Sequence, residues 1–199
     1  NHKENWMIND GGIELIMSEI NSKNPTGKLT PELSNGISYF AYGSNLSLEQ
    51  MNKRCPEYVK IGKGVLKNHK WIINSRGYAN VIESPSDYVE GVVYRITKQG
   101  EIMLDKKEGV KLGCYEKKIM TILMDNREYG CLVYVDPITN EGKIKSGYEK
   151  RINAGIVDSL LSPYYIEKYL RKFMPNCSFD KDTEFVYSIA RDYLKEKLG

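Results

Sequence analysis

Residues 39–46 read Tyr-Phe-Ala-Tyr-Gly-Ser-Asn-Leu, the most distinctive stretch of the chain. The aromatic and apolar residues over 37–42 predict a β-strand, which Gly43 ends. The capping-box pattern Ser-Leu-Glu-Gln that follows predicts a short helix over 47–54. A strand that turns through glycine into a capped helix presents backbone N–H groups that can bind a carboxylate or a developing oxyanion. A plain strand-turn-helix connection is the alternative interpretation.

Outward from this turn, strands come first and helices follow. Strands are predicted at 58–66, 70–74, 79–83, 88–96, 115–124 and 129–135, the last two joined by a turn at 125–128. Helices are predicted at 98–107, 148–161, 163–173 and 183–198. Residues 1–36 are expected to be a peripheral segment with one short helix at 13–20. The fold class is therefore α+β, a mixed and strongly curved sheet or barrel with helices at one side.

Ser44 is the candidate nucleophile within the glycine turn. An activated serine needs a base within hydrogen-bond distance, and the chain has two histidines, His2 and His69, and no G-x-S-x-G pattern around Ser44. The Ser44 hydroxyl is therefore interpreted as a ligand contact or a turn cap. Two histidines are also too few for a His-rich metal site. Neither a metal nor a cofactor is predicted.

A second motif, Leu-Asp-Lys-Lys-Glu-Gly-Val at 104–110, places Glu108 at the end of a predicted helix. The negative end of the helix dipole disfavours the charged carboxylate and raises its pKa toward the range useful for proton transfer. Lys106, Lys107 and Lys111 oppose this effect if they point inward. A solvated surface glutamate is the alternative interpretation.

Two tyrosines stand close to these motifs in the sequence. Tyr115 comes seven positions after Glu108, and Tyr148 opens the last helical block. Each hydroxyl is a candidate contact for a polar ligand, and each ring fits a core position equally well.

The composition excludes several function classes. The 199 residues carry a formal net charge of +3, with lysines and acids interspersed, so no basic stripe favours nucleic-acid binding. No apolar run reaches the length that a bilayer requires, and no signal-peptide pattern opens the chain. The four cysteines lie far apart without a C-x-x-C pair, which favours reduced thiols and a cytoplasmic location.

Taken together, these residues resemble the γ-glutamylcyclotransferase family. The octapeptide at 39–46 matches the branch that opens with YFAYGSNL, and 104–110 contains the family's D-x-x-E-G-V. Between them, Ser-Pro at 84–85 and Glu-Gly-Val-Val-Tyr at 90–94 look like the family's S-P-x-x-x-V-x-G-V-V-W/Y stretch. The likeness extends over about 37–156.

The resemblance implies a small mixed β-barrel with flanking helices, often dimeric, and glutathione metabolism as the setting. It implies a cyclotransferase domain at 37–160 and a helical extension at 161–199 packed on that domain. It assigns the general acid/base to Glu108. It assigns binding of the γ-glutamyl substrate to Tyr39, Phe40, Ala41, Tyr42, Gly43, Ser44, Asn45, Tyr115 and Tyr148.

The chemistry implied by the resemblance needs no enzyme nucleophile. The substrate's α-amine attacks its own side-chain carbonyl, which closes 5-oxoproline and releases a free amine. Two alternatives stay open: removal of a γ-glutamyl protecting group from a natural product, and a binding module without catalysis. The expected partner is a small γ-glutamyl molecule, with a homodimer as a further expectation and no nucleic acid or membrane. The leaving amine stays undefined.

Overall fold

The computed structural model describes residues 29–175, so the helices predicted at 13–20 and 183–198 lie outside the described residues. The strands are β1 Ile37–Ala41, β2 Tyr58–Ile73, β3 Ala79–Ile96, β4 Glu116–Met124 and β5 Arg127–Val135. The helices are α1 Pro31–Ser34, α2 Leu48–Arg54, α3 Lys98–Lys107, α4 Tyr148–Ser159 and α5 Pro163–Tyr165. Two 3₁₀ turns, Ser44–Leu46 and Val110–Leu112, and one π-helical turn, Ile166–Leu170, complete the described elements.

The five strands close into a barrel in the order β1-β3-β2-β4-β5. β1 runs antiparallel to β3 and parallel to β5, where Tyr39 pairs with Leu132. The strand that carries the octapeptide is therefore hydrogen-bonded on both edges, and the glycine turn follows at the mouth of the barrel. The predicted α+β barrel with flanking helices is confirmed.

Two long strands replace four of the predicted short ones. Pairing of β2 with β3 passes from Lys67–Tyr88 to His69–Glu83, so residues 84–87 form an irregularity within β3 rather than a break. Asn68 has a positive φ of 57° at the matching point of β2. The prediction of separate strands was wrong because turn-forming residues can be absorbed into a continuing ladder as a bulge.

α2 and α3 lie within one residue of their predicted bounds. The Ser47 hydroxyl accepts from the Gln50 backbone N–H and caps α2. α3 is capped in the same way by Thr97 and ends at Lys107, with Glu108 as the C-cap residue. Gly109 follows with φ 64°, a left-handed conformation that glycine adopts without a steric penalty.

The C-terminal part of the described chain packs on the barrel. α4 buries Ile152 and Ile156, and it ends two residues before the prediction. The helix predicted over 163–173 is instead the short α5 followed by the π-helical turn. Tyr165 and Leu170 are buried there against the same core.

Candidate active site

A cleft opens at the barrel mouth beside the glycine turn. Its empty volume is about 330 Å³. Its lining comprises Tyr39, Tyr42, Gly43, Ser44, Asn45, Ala79, Glu108, Tyr115, Tyr134 and Tyr148. The structure thus brings together eight of the ten residues that the sequence assigns to catalysis and substrate binding, although they come from four separate parts of the chain.

Phe40 and Ala41 are the two predicted site residues that do not line the cleft. Phe40 is fully buried, and its ring lies where a side chain at Gly91 would otherwise stand. Ala41 is buried as well, with its carbonyl oxygen against the same glycine. These two residues pack β1 against β3, so they hold the cleft wall in place without facing the cavity.

Glu108 points into the cleft, toward the glycine turn. The Asn45 side-chain amide donates to Glu108 Oε1 over 3.4 Å, and Arg54 Nη1 lies 3.5 Å from the same oxygen. The glutamate side chain is 15% exposed. Burial raises the pKa of Glu108 above its ordinary value, while Arg54, the Asn45 hydrogen bond and Arg76 offset part of that effect. The carboxyl group is thus held in an environment suited to proton transfer.

The tyrosines of the cleft are neutral phenols. Burial raises the pKa of Tyr148 to about 12 and holds the pKa values of Tyr39, Tyr42 and Tyr115 well above the ordinary value. The Tyr42 hydroxyl donates to the Tyr134 carbonyl oxygen over 2.6 Å. The phenols therefore supply apolar ring faces and uncharged hydroxyls around one carboxyl group.

The glycine turn provides backbone donors at the cleft. The Leu46 and Ser47 N–H groups donate to the Gly43 and Ser44 carbonyl oxygens. The Ser44 and Asn45 N–H groups precede them at the start of the 3₁₀ turn, where helical bonding supplies no acceptor. Ser44 also interacts with the Tyr148 hydroxyl through both its backbone and its side chain, so the turn and this tyrosine form one polar wall of the cleft near Glu108.

Sequence reasoning missed four residues of the site. Ala79 and Tyr134 line the cleft from β3 and β5.

Arg54, in the last turn of α2, reaches Glu108 and donates to Asn45 Oδ1 over 3.2 Å. Arg76 lies between β2 and β3, and its guanidinium pairs with Asp136 at 2.6 Å. The position of Arg54 just after the octapeptide was a usable signal, whereas nothing local in the sequence points to Arg76.

A second, larger cavity of about 850 Å³ adjoins the cleft. We call it the vestibule. It shares four residues with the cleft and is otherwise lined mainly by cations. The lining comprises Ser44, Arg54, Arg76, Tyr78, Lys106, Lys107, Glu108, Gly109, Leu112, Cys114, Tyr115, Tyr148 and Arg151. Glu108 thus lies where the two cavities meet.

The sequence model of the family described as gamma-glutamyl cyclotransferase, AIG2-like, matches residues 39–150. The chain belongs to this family. The match runs from the first residue of the octapeptide to the start of α4, and it spans every residue that lines the cleft.

Named relatives agree with the family match. Gamma-glutamylcyclotransferase of Bos taurus is 32% identical over 166 residues, which are 77% of this chain and 87% of the relative. The Mus musculus protein of the same name is 33% identical over 151 residues, covering 69% of this chain and 79% of the relative. Family membership and the enzyme class predicted from the sequence are therefore confirmed.

Solved structures agree on the fold. One named gamma-glutamyl cyclotransferase is 29% identical, with a TM-score of 0.63, and the match covers 77% of this chain and 99% of that one. YkqA of Bacillus subtilis is 26% identical, with a TM-score of 0.62, and the match covers 81% of this chain and 59% of that one.

Within residues 29–175, no helix combines the length and hydrophobicity of a membrane span. In the same range, no group of three or more histidine, cysteine or acidic side chains is arranged to hold a metal ion.

Proposed function

We propose that this family member converts a γ-glutamyl amide into 5-oxoproline and a free amine, with Glu108 as the proton carrier. The observation that carries the proposal is the Glu108 carboxyl group, largely buried beside the glycine turn where the cleft meets the vestibule. A γ-glutamyl group in the cleft would place its scissile amide next to this carboxyl group and its leaving amine in the vestibule.

The reaction joins two groups of one substrate molecule. The α-amine attacks the side-chain carbonyl carbon, a C–N bond forms, and the bond to the leaving nitrogen breaks. Holding both groups in one folded substrate gives effective molarities that reach about 10⁵–10⁸ M at good geometry. The protein therefore has to impose the folded conformation and move protons.

One carboxyl group can carry the proton through both steps. Glu108 as a carboxylate accepts a proton from the substrate's α-ammonium, which makes that nitrogen nucleophilic. It returns this proton to the amide nitrogen as the C–N bond breaks, so the amine leaves as a neutral molecule. The ring nitrogen still carries two protons at this point. The regenerated carboxylate takes one of them and passes it to the released amine or to water, which leaves the neutral lactam. A carboxyl pKa raised by burial suits both steps better than an ordinary glutamate does.

The oxygen of the attacked carbonyl gains negative charge during ring closure. We assign its stabilisation to the backbone N–H groups of Ser44 and Asn45, since fixed donors of this kind are effective in a buried site. The tyrosine rings surround the aliphatic part of the glutamyl group and limit water in the cleft.

The two alternatives receive less support. A non-catalytic binding module does not need a buried carboxyl group at the junction of two cavities. Removal of a γ-glutamyl protecting group uses the same chemistry with a different leaving amine, and no observation favours it. The predicted cytoplasmic location, homodimer, role in glutathione metabolism and division at residue 160 stay predictions.

A direct assay tests the proposed function. The purified full chain is incubated with γ-glutamyl-alanine and with γ-glutamyl-methylamine, and 5-oxoproline is measured by liquid chromatography and mass spectrometry. We expect enzyme-dependent release of 5-oxoproline with an equal amount of free amine. Release of glutamate instead of 5-oxoproline, or no product from either compound, would contradict the proposal.

A further inference from the structure

The vestibule is lined by five cations and one carboxyl group. The cations are Arg54, Arg76, Lys106, Lys107 and Arg151, and the carboxyl group is Glu108. The adjoining groove adds Lys53 and Lys150 with a single acid, Glu49. The overall formal charge of the chain is only +3, so this concentration of positive charge is local to the entrance of the site.

Two of the five cations are already held by acids. Arg54 lies 3.5 Å from Glu108, and Arg76 pairs with Asp136, whose side chain is only 1% exposed. Arg76 also lies over the face of the Tyr115 ring, with its guanidinium carbon 5.4 Å from the ring centroid. These two arginines form a rigid inner rim next to the junction with the cleft.

The other three cations lie farther out and are exposed. Lys106 and Lys107 come from the end of α3, and Arg151 comes from the first turn of α4. Within residues 29–175, none of the three forms a salt bridge. Two helices thus direct unpaired positive charge toward one cavity.

The position of Glu108 determines what meets these cations. A glutamyl group in the cleft has its amide beside Glu108, so the leaving amine extends into the vestibule. One carboxylate on that amine would lie near the arginines of the inner rim. A second carboxylate would lie near the three exposed outer cations. A positively charged amine would be repelled, because like charges at short range are unfavourable.

We propose that the vestibule selects leaving amines that carry two or more carboxylates, such as the glutamate released from γ-glutamyl-glutamate. This inference rests on the proposed function. The outer cations attract the second carboxylate, and since they are exposed, their effect is screened by salt.

A matched pair of substrates tests the selectivity. γ-Glutamyl-glutamate and γ-glutamyl-glutamine have nearly the same shape and differ by one negative charge on the leaving amine. We expect kcat/KM to favour γ-glutamyl-glutamate by about fivefold at low salt, with the ratio approaching one as the salt concentration rises to about 1 M.

Substitutions in the vestibule test which residues cause this selectivity. Arg151→Gln and Lys107→Gln are each expected to lower kcat/KM for γ-glutamyl-glutamate by about threefold to fivefold, and to lower that for γ-glutamyl-glutamine less. Lys118→Gln is the control, since Lys118 is exposed on β4 and lines neither cavity. Thermal unfolding of each variant shows that the fold is retained.

The outcomes separate the two claims. Turnover of both dipeptides with equal kcat/KM at low salt would overturn the vestibule proposal and leave the proposed function standing. A preference that persists unchanged in high salt, or in both vestibule variants, would also overturn it. No 5-oxoproline from either dipeptide would contradict the proposed function itself.

Discussion

The cleft and the vestibule share Glu108 but differ in almost every physical respect. The cleft is formed by buried phenols and the backbone of the glycine turn, and it follows directly from closure of the barrel. The vestibule is lined mainly by cations, which come from the ends of α2 and α3, from the first turn of α4 and from the β2–β3 connection. On this difference we base the proposed division of roles, in which the cleft binds the glutamyl group and the vestibule discriminates among leaving amines.

The largest expected effect comes from removing the group that both cavities share. Glu108→Gln keeps the shape and the buried environment but leaves no proton carrier. We expect kcat for 5-oxoproline formation to fall by about 10²–10⁴-fold, measured with γ-glutamyl-alanine. Glu128→Gln, an exposed change in the β4–β5 hairpin, should stay close to wild type. Near-normal turnover by Glu108→Gln would contradict the assignment.

The next effect tests the cleft alone. A Cβ atom at Gly43 would lie 3.1 Å from the Tyr148 hydroxyl oxygen and 3.2 Å from the Ala79 Cβ. Gly43→Val should displace the bound glutamyl group and lower kcat/KM by about 10²-fold for every γ-glutamyl substrate. Gly62→Val is the control, since a Cβ there has no neighbour within 4 Å. A loss confined to acidic leaving amines would contradict the division between the cavities.

A third effect concerns how the inner rim of the vestibule is anchored. Asp136 accepts from Arg76 and Asn74, both over 2.8 Å, and from the Ile138 N–H. Asp136→Asn should lower the free energy of unfolding by about 2–3 kcal/mol, because it weakens a buried ionic hydrogen-bond network. Urea denaturation measures this change, with Asp125→Asn in the exposed hairpin turn as the control. A change below about 0.5 kcal/mol would refute the anchoring role.

The smallest effect is a shift in pH dependence. Burial raises the pKa of Glu108, and Arg54 opposes that rise. Without the Arg54 charge the carboxylate is less stable, so the pKa of Glu108 rises further in Arg54→Gln. The acidic limb of the kcat/KM profile should therefore move to higher pH, with a loss at neutral pH below about tenfold. Arg127→Gln, exposed on β5, should leave the limb in place. A limb that moves to lower pH would contradict the sign.

The sequence predicted the cleft better than the vestibule, for a physical reason. The octapeptide and the 104–110 motif are local patterns, since a glycine turn and a helix end are each specified within a few residues. Closure of the barrel brings Tyr134 and Ala79 to the cleft, and no local sequence pattern predicts that closure. Arg76 is positioned by Asp136, a residue sixty positions away.

The strand predictions were limited for the same reason, because local turn signals do not report pairing with distant residues. Asn68 and the Ser-Pro pair at 84–85 carry strong turn signals, and locally they predict breaks. In the structure the β2–β3 ladder continues past them, because pairing on both sides of the irregularity holds them in line. Phe40 and Ala41 were assigned to the site because they lie within the motif, although strand packing turns them away from the cleft.

A crystal structure of Glu108→Gln with γ-glutamyl-glutamate bound would show directly how the substrate lies across the two cavities. We predict that the glutamyl group occupies the cleft, with its scissile amide nitrogen about 3 Å from the residue 108 side chain. The leaving glutamate should lie in the vestibule, near Arg151. A substrate whose amide lies beyond hydrogen-bond reach of residue 108, or whose glutamyl group occupies the vestibule, would contradict the account.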